Sequence, residues 1–364
     1  MQDTLTIAAA TLLALSLLPL WRHPHWLVRA AGFARLQLFY AALACLAMAV
    51  FFFEFSNTRG QAVMLCSLAA TLVNLYHLAP FSSLWSTEVE EAAAGHENET
   101  LCILTANVLM TNRQAPKLLA LVDKYQPDLL VALESDQWWQ EQLDVLDERM
   151  PHSIKCPLDN LYGMHLYSRL PLEDTEICFL VEDDVPSFHA QLRLQKGGTV
   201  RLHVLHPAPP APKEKSSAST RDAELIVVAR ELEGCSDPVI VAGDFNDVPW
   251  SYNARLLRRL GGLLDPRVGR GMFNTFHAGI PLMRWPLDHL YHSEHFQLLG
   301  IKRLPGIGSD HFPLLTRLAL TAADNTDNEP PTPNKGDHSR ADEVTARENA
   351  LREEVPSPGT PQAG

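Results

Sequence analysis

Three runs of almost uncharged apolar residues, 4–20, 36–53 and 61–79, crowd the first 80 positions of the chain. Each approaches the length of about 20 residues that a helix needs to cross a bilayer. They predict three transmembrane helices and a membrane domain over residues 1–80. Trp21, Trp26, Tyr76 and Trp85 stand near the ends of these runs, where amphipathic rings favour the headgroup level. A cleaved signal peptide is the alternative for the first run, but Met1–Thr4 has no basic start and Leu18–Trp21 is bulky where a cleavage site needs small residues. The loop 21–35 holds Arg22, Arg29 and Arg35, while 54–60 holds Arg59 against Glu54. The bias of Lys and Arg toward the inner face then places the first loop, and the soluble part with it, in the cytoplasm. A multi-pass protein of the cell membrane is expected, with a periplasmic or extracellular soluble part as the alternative.

Residues 81–99 turn to Ser, Glu, Ala and His and read as a solvated linker. From Leu101 the texture becomes globular. Apolar strands are predicted at 101–107, 128–134, 163–169, 188–194, 199–205, 238–243, 287–292, 296–303 and 313–320, and helices at 114–126, 136–150, 219–234 and 251–260. This is α/β alternation with too many strands for one open sheet, so residues 100–320 are expected to form two packed mixed sheets with helices outside. Pro207, Pro209, Pro210 and Pro212 make 207–218 a loop. Beyond residue 321 the chain is rich in Asp, Asn, Glu, Pro and Thr, which predicts a disordered tail over 321–364 containing at most a short helix near 340–353.

Several predicted strands end in polar residues able to do chemistry. The apolar run Val239–Ala242 stops at Gly243 and presents Asp244 and Asn246, two residues apart and so able to share a face. An Asx turn capping a strand is the plainer reading of that tetrapeptide. Leu104-Thr105-Ala106 ends in Asn107, and the run 128–133 ends in Glu134. Carboxylate and carboxamide oxygens are hard ligands of the kind Mg²⁺ accepts. His206 follows Leu202 and Val204 on one strand face, Asp288 opens a strand, and Asp310-His311 precede another. Taken singly, each is as well explained by a turn or a strand-edge polar residue.

Taken in order, Asn107, Glu134, His206, Asp244 with Asn246, Asp288, and Asp310 with His311 resemble the site of the endonuclease/exonuclease/phosphatase superfamily. The stretch Gly163–Leu172 is similar to that superfamily's central strand motif. The resemblance covers about 220 residues and implies a four-layer α/β sandwich of the DNase I-like kind, in a membrane-anchored bacterial form. It implies a metal-dependent hydrolase of phosphate esters using Mg²⁺, with Mn²⁺ as an alternative. Glu134 would bind the metal, with Asn107 and Asp310 beside it. His311 would touch the scissile phosphate and Asp288 would orient it. Asp244 would position the attacking water, while Asn246 and His206 would donate to phosphate or leaving-group oxygens.

Charge bears on the substrate. The chain carries 30 Lys and Arg against 43 Asp and Glu, a net −13, and residues 96–320 alone are about −7. Such a domain repels a polyanion, which disfavours nucleic acid as partner and a nuclease as the activity. A small or lipid-linked phosphate ester is the leading substrate, and the membrane the leading partner. The alternatives are a Mg²⁺-dependent nuclease, for which Arg255, Arg258 and Arg259 offer a local basic cluster, and a catalytically inactive binding or sensor domain. The six cysteines show no paired spacing and do not discriminate between compartments.

Overall fold

A computed structural model describes residues 2–54, 57–92, 99–209, 217–321 and 326–359. Three long apolar helices lie at the N-terminus: α1 (Gln2–Leu17), α3 (Arg35–Phe52) and α4 (Thr58–Leu78). They pack through Leu5, Ala9, Cys45, Ala49 and Val63 and leave Ile7, Phe51, Leu65 and Tyr76 exposed. That outward apolar surface is what lipid would cover. A short helix, α2 (Trp26–Phe33), fills the loop between the first two. At the end of the bundle where α1 and α4 finish and α3 begins, Asn74 donates to Ser16 at 2.8 Å and accepts from Arg35 at 3.3 Å.

The remaining chain folds into two sheets. One has the order β10-β11-β1-β2-β4-β3, formed by β1 (Glu99–Asn107), β2 (Leu129–Leu133), β3 (His152–Cys156), β4 (Met164–Ser168), β10 (Phe296–Arg303) and β11 (Leu314–Leu320). The other has the order β5-β6-β7-β8-β9, formed by β5 (Leu172–Cys178), β6 (Ser187–Arg193), β7 (Thr199–Leu205), β8 (Val239–Asp244) and β9 (Asp288–His292). β1 runs parallel to β2 and β7 parallel to β8, while their other neighbours are antiparallel, so both sheets are mixed. The sheets face each other across Leu101, Ile103, Val131, Leu202, Val204, Ile240, Ala242 and Leu290. On the outer faces, α5 (Ala115–Tyr125) and α6 (Gln137–Leu143) cover the first sheet, and α7 (Ser219–Glu231) and α8 (Tyr252–Leu260) cover the second. This is the four-layer sandwich expected from the strand count.

Strands β3 and β5 went unpredicted because they are edge strands whose polar residues break the apolar alternation: β5 is LEDTEIC, with four consecutive exposed residues. Two boundary expectations are corrected. The tail is not wholly disordered: α9 (Asp337–Ala346) lies on α7 and α8, burying Ala341 and Val344, and Arg259 grips the Asp337 carboxylate at 2.7 and 2.9 Å. Its few small apolar residues are too sparse to signal burial in sequence. Nor is the linker fully solvated. Val89 is buried between the sheets, Glu88 pairs with Arg258, and the backbone of 90–92 bonds to Leu298 of β10. Residues 93–98 lie outside the described residues, as do 210–216 of the proline-rich loop.

Candidate active site

Strand alternation decides what meets at the end of the sandwich. Leu101, Ile103 and Thr105 of β1 share the face that continues to Asn107; Leu202 and Val204 of β7 lead to His206; Ile240 and Ala242 of β8 lead to Asp244; Leu290 of β9 shares its face with Asp288. Four strands that bury their inner faces against the opposing sheet therefore deliver four polar ends into the same inter-sheet space. Asp244 and Asp288 are direct register partners across β8 and β9. Gly243 makes this turn sterically feasible. Its φ is 141° and a Cβ there would stand 1.9 Å from the Leu205 carbonyl oxygen of β7.

The side chains form one connected cluster. The Asn107 carboxamide donates to Glu134 Oε1 at 2.7 Å and to Asp244 Oδ2 at 3.1 Å, holding the two carboxylates near each other. His311 Nδ1 donates to Asp288 Oδ2 at 2.8 Å, and its Nε2 lies 3.5 Å from Asp244 Oδ2. His206 Nε2 lies 3.9 Å from the same oxygen. Ligand atoms of Glu134, His206 and Asp244 all fall within 4.8 Å of one another, as do those of Asp244, Asp288 and His311. Glu134 adopts a left-handed backbone conformation, φ 57°, directly after β2. Such conformations persist where the surroundings over-determine them.

Electrostatics divide the cluster. Burial, reinforced by the Asp244 and Asp310 charges, pushes Glu134 up to about 7. For His311 burial opposes the charge, but the Asp288 and Asp244 carboxylates outweigh it and lift the imidazole to about 10. Burial also presses on Asp244, yet the neighbouring His311 and His206 keep it below the ordinary carboxylate range. The protein thus presents an imidazolium held between two carboxylates. Among the described residues, His206 Nδ1 and Asp288 Oδ1 are buried without a hydrogen-bond partner. A divalent cation fits this donor set: the carboxylates and carboxamide are hard oxygen ligands, an imidazole stands beside them, and the excess acidity felt by Glu134 is what a cation would relieve.

The remaining sequence candidates are placed differently from one another. Asn246 sits in the loop after β8 with its carboxamide donating to the Pro207 carbonyl at 3.0 Å and its backbone N–H donating to Asp244 Oδ1 at 3.0 Å. Asp310 adjoins His311 and its charge acts on both His311 and Glu134, but it belongs to neither group of converging donor atoms. Sequence reasoning missed four supports. The Phe276 ring packs on His311 with centroids 4.9 Å apart, the Tyr162 ring lies 5.6 Å from His206, and Thr275 Oγ1 accepts from the Asp288 N–H at 3.3 Å. Arg221, wholly buried, donates to the Asn246 carbonyl at 2.7 Å and pairs with Asp247 and Asp222. Only Asp247, beside Asn246 in the motif, had a sequence signal; the others come from loops and a helix with no distinguishing pattern.

Compared with known proteins, residues 104–311 match the profile of the Endonuclease/Exonuclease/phosphatase family. The chain belongs to this family. Members are typically hydrolases that act on phosphate esters, and the two-sheet architecture is theirs. Over 136 residues, 37% of its length, this family member is 32% identical to UPF0294 proteins from two strains of Vibrio cholerae serotype O1. The match spans 45% of those relatives' own length. Among solved structures, the human Nocturnin catalytic domain with bound sulfate anion superposes with a TM-score of 0.52 at 18% identity, covering 62% of this chain and 95% of that one. An endonuclease/exonuclease/phosphatase from Beutenbergia cavernae aligns at 16% identity with a TM-score of 0.48, covering 62% of this chain and 73% of its own. At 18% identity the likeness to the Nocturnin domain speaks for the fold.

Proposed function

We propose that this family member is a membrane-anchored, Mg²⁺-dependent phosphoesterase, of the bacterial kind, that hydrolyses a phosphate ester carried on a lipid. The observation that carries the reading is the converging set of Glu134, His206, Asp244, Asp288 and His311 at the end of the sandwich that meets the apolar helices. The rim of that site is itself apolar. Phe276, packed at a tilt against His311, begins the loop whose Ala278 N–H donates to the Asp310 carbonyl at 2.6 Å. The same loop exposes Ile280, Leu282 and Met283, and Gln37 in the first turn of α3 donates to the Leu282 carbonyl at 3.0 Å. An apolar loop tip beside the start of a transmembrane helix suits the bilayer surface, and so favours a substrate with its phosphate at headgroup level.

Each residue then has a task. Bound at Glu134, with Asn107 and Asp310 at its margin, Mg²⁺ would supply charge neutralisation and polarise the phosphoryl oxygens. His311, kept protonated by Asp288, donates to a phosphate oxygen whose charge grows in the transition state. Asp288 accepts from Nδ1 and so leaves the Nε2–H of the imidazolium for the site. Asp244, depressed and therefore ionised, orients the attacking water. His206 stays neutral, because burial lowers it to about 4, and assists at a phosphate or leaving-group oxygen. Asn246, tethered to Pro207, holds the loop that closes this side.

A nuclease fits less well. Two of the three arginines of the basic cluster that would favour it are engaged, Arg258 by Glu88 of the linker and Arg259 by Asp337 of the tail, and the third, Arg255, lines a cavity that holds none of the converging donors. The test is hydrolysis by the full-length chain in detergent micelles, with Mg²⁺, of phospholipid, inositol-phosphate, nucleotide and duplex DNA substrates, read as inorganic phosphate, phosphorylated headgroup or shortened DNA. Hydrolysis of a lipid phosphate ester, abolished by chelation and by Glu134→Gln, is expected. Preferential cleavage of DNA, or turnover indifferent to Glu134→Gln, would overturn the reading, and an inert protein that binds no Mg²⁺ by calorimetry would favour the sensor alternative.

A further inference from the structure

Where the turn after α1, α2, the start of α3 and the end of α4 meet residues 247–255, they line a cavity of about 330 Å³ that contains none of the cluster's converging donors. Its wall carries Arg22, Arg35, His77 and Arg255. Arg35 is 3% exposed and Arg255 half-buried. Among the described residues no carboxylate pairs with Arg22, Arg35 or Arg255, whereas Arg29 on the same wall is matched by Asp222. Asp247, the acidic group nearest, is already taken by Arg221 and Ser251.

The neutral partners of these guanidiniums are few. Arg35 Nη1 reaches the Asn74 carboxamide oxygen at 3.3 Å, and Arg255 Nη1 donates to His77 Nδ1 at 3.2 Å. Arg22 Cζ stands over the Tyr252 ring, 4.1 Å from its centroid. Three guanidiniums gathered in a concavity repel one another and lose hydration, a cost that an unoccupied fold has no reason to bear. Burial and the neighbouring Arg259, Arg22 and Arg258 charges accordingly press Arg255 below the usual arginine range. Several fork-shaped donors around one space suit a group with several acceptor oxygens, and phosphate is the commonest.

We propose that this cavity is a binding site for a phosphate group, supplied by the headgroup of an anionic phospholipid. The lipid source follows from what adjoins the cavity. A groove of about 810 Å³ shares Leu20, Arg22, His77 and Arg255 with it and runs onto Leu72, Val73 and Tyr76 of α4. Leu72 and Tyr76 face outward on the apolar bundle, where an acyl chain would lie. Basic residues at the ends of transmembrane helices sit at the depth of the lipid phosphates, and attract anionic headgroups there. The site is separate from the hydrolytic cluster and stands whether or not that cluster acts on lipid.

Full-length protein in neutral detergent would be titrated with micelles containing phosphatidylglycerol, phosphatidylcholine or diacylglycerol, and separately with millimolar inorganic phosphate. Thermal unfolding and the lipid retained in native mass spectrometry are the readouts. Phosphatidylglycerol should raise Tm by several degrees and remain bound one per chain, with diacylglycerol without effect. R35Q/R255Q, shown folded by circular dichroism, should weaken that protection about 10-fold or more, the loss of two charge-assisted contacts. Should that double variant not fold, Arg22→Gln should weaken protection while Arg255→Lys largely keeps it. Protection by inorganic phosphate with the same arginine dependence would keep the phosphate site and overturn the lipid source. Equal protection by diacylglycerol and phosphatidylglycerol, or protection unchanged by the arginine substitutions, would overturn the site itself.

Discussion

Asp288 shows how a single residue of the cluster does two things at once. One carboxylate oxygen holds His311 at 2.8 Å, and the other is buried with no hydrogen-bond partner among the described residues. Asp288→Asn keeps the shape but loses the charge that, with Asp244, keeps His311 cationic. Turnover should fall by about 10–100-fold, the range for second partners of a catalytic imidazole, with KM little changed; a variant of equal kcat would remove Asp288 from the mechanism. Its place at the opening of an apolar strand made Asp288 readable in the sequence, as a strand end did Asn107 and strand parity did His206 and Asp244. Phe276 and Thr275 were illegible, because contacts made by irregular loops have no period. Arg221 was hidden for another reason: on a helix buried almost all round, a charged residue looks like one more solvent-facing position until its partners are known.

Among the elements, β8 and the 276–285 loop bear the most consequence. Gly243→Ala would drive a methyl group into the Leu205 carbonyl of the adjacent strand while demanding a backbone geometry that alanine avoids. A cost of about 3 kcal/mol is expected, visible as a lowered midpoint in thermal unfolding; an unchanged midpoint would show that β7 and β8 can separate freely. The loop tests the membrane-facing reading. L282S/M283S removes two exposed apolar side chains far from any buried core, so stability should hold. Hydrolysis of a lipid substrate in vesicles should drop several-fold and that of a short-chain soluble analogue should not. Equal effects on both would deny the loop any role at the bilayer. At this scale the central strands were legible because burial on both faces writes long hydrophobic runs, and the three N-terminal helices because their uncharged runs approach the length that crosses a bilayer. Edge strands β3 and β5, and α9 in the tail, were not, since each buries one narrow side against a neighbour that the local sequence cannot announce.

Across the whole molecule the first loop and the sandwich are interlocked. Arg29 of α2 pairs with Asp222, which is bound by Arg221, which holds the Asn246 carbonyl. Trp250 donates to the Gly32 carbonyl at 2.9 Å, and Phe33 lies edge-on to Trp285. Arg29→Leu should cost about 3 kcal/mol by leaving Asp222 with one cation in a buried place. The effect has a pH signature. Burial alone would raise Asp222, but Arg29 and Arg221 outweigh it and depress the carboxyl below its ordinary value. A depressed folded pKa gives stability that is complete above the unfolded value of about 4 and is lost as pH falls through the folded one. The gap in unfolding free energy between wild type and Arg29→Leu should thus be full at neutral pH and close under strong acid; a gap indifferent to pH would mean Asp222 is not the group responsible.

That interlock bears on how such a protein can be handled. An expression clone trimmed to residues 100–320 looks like a tidy catalytic unit, yet it would discard Arg29, strip the cover from Trp250 and leave Arg258 without Glu88. Asp222 would be left with Arg221 alone, the residue that holds the Asn246 carbonyl. Silence from a trimmed protein would therefore report the amputation, and the proposed hydrolysis is a question for the uncut polypeptide.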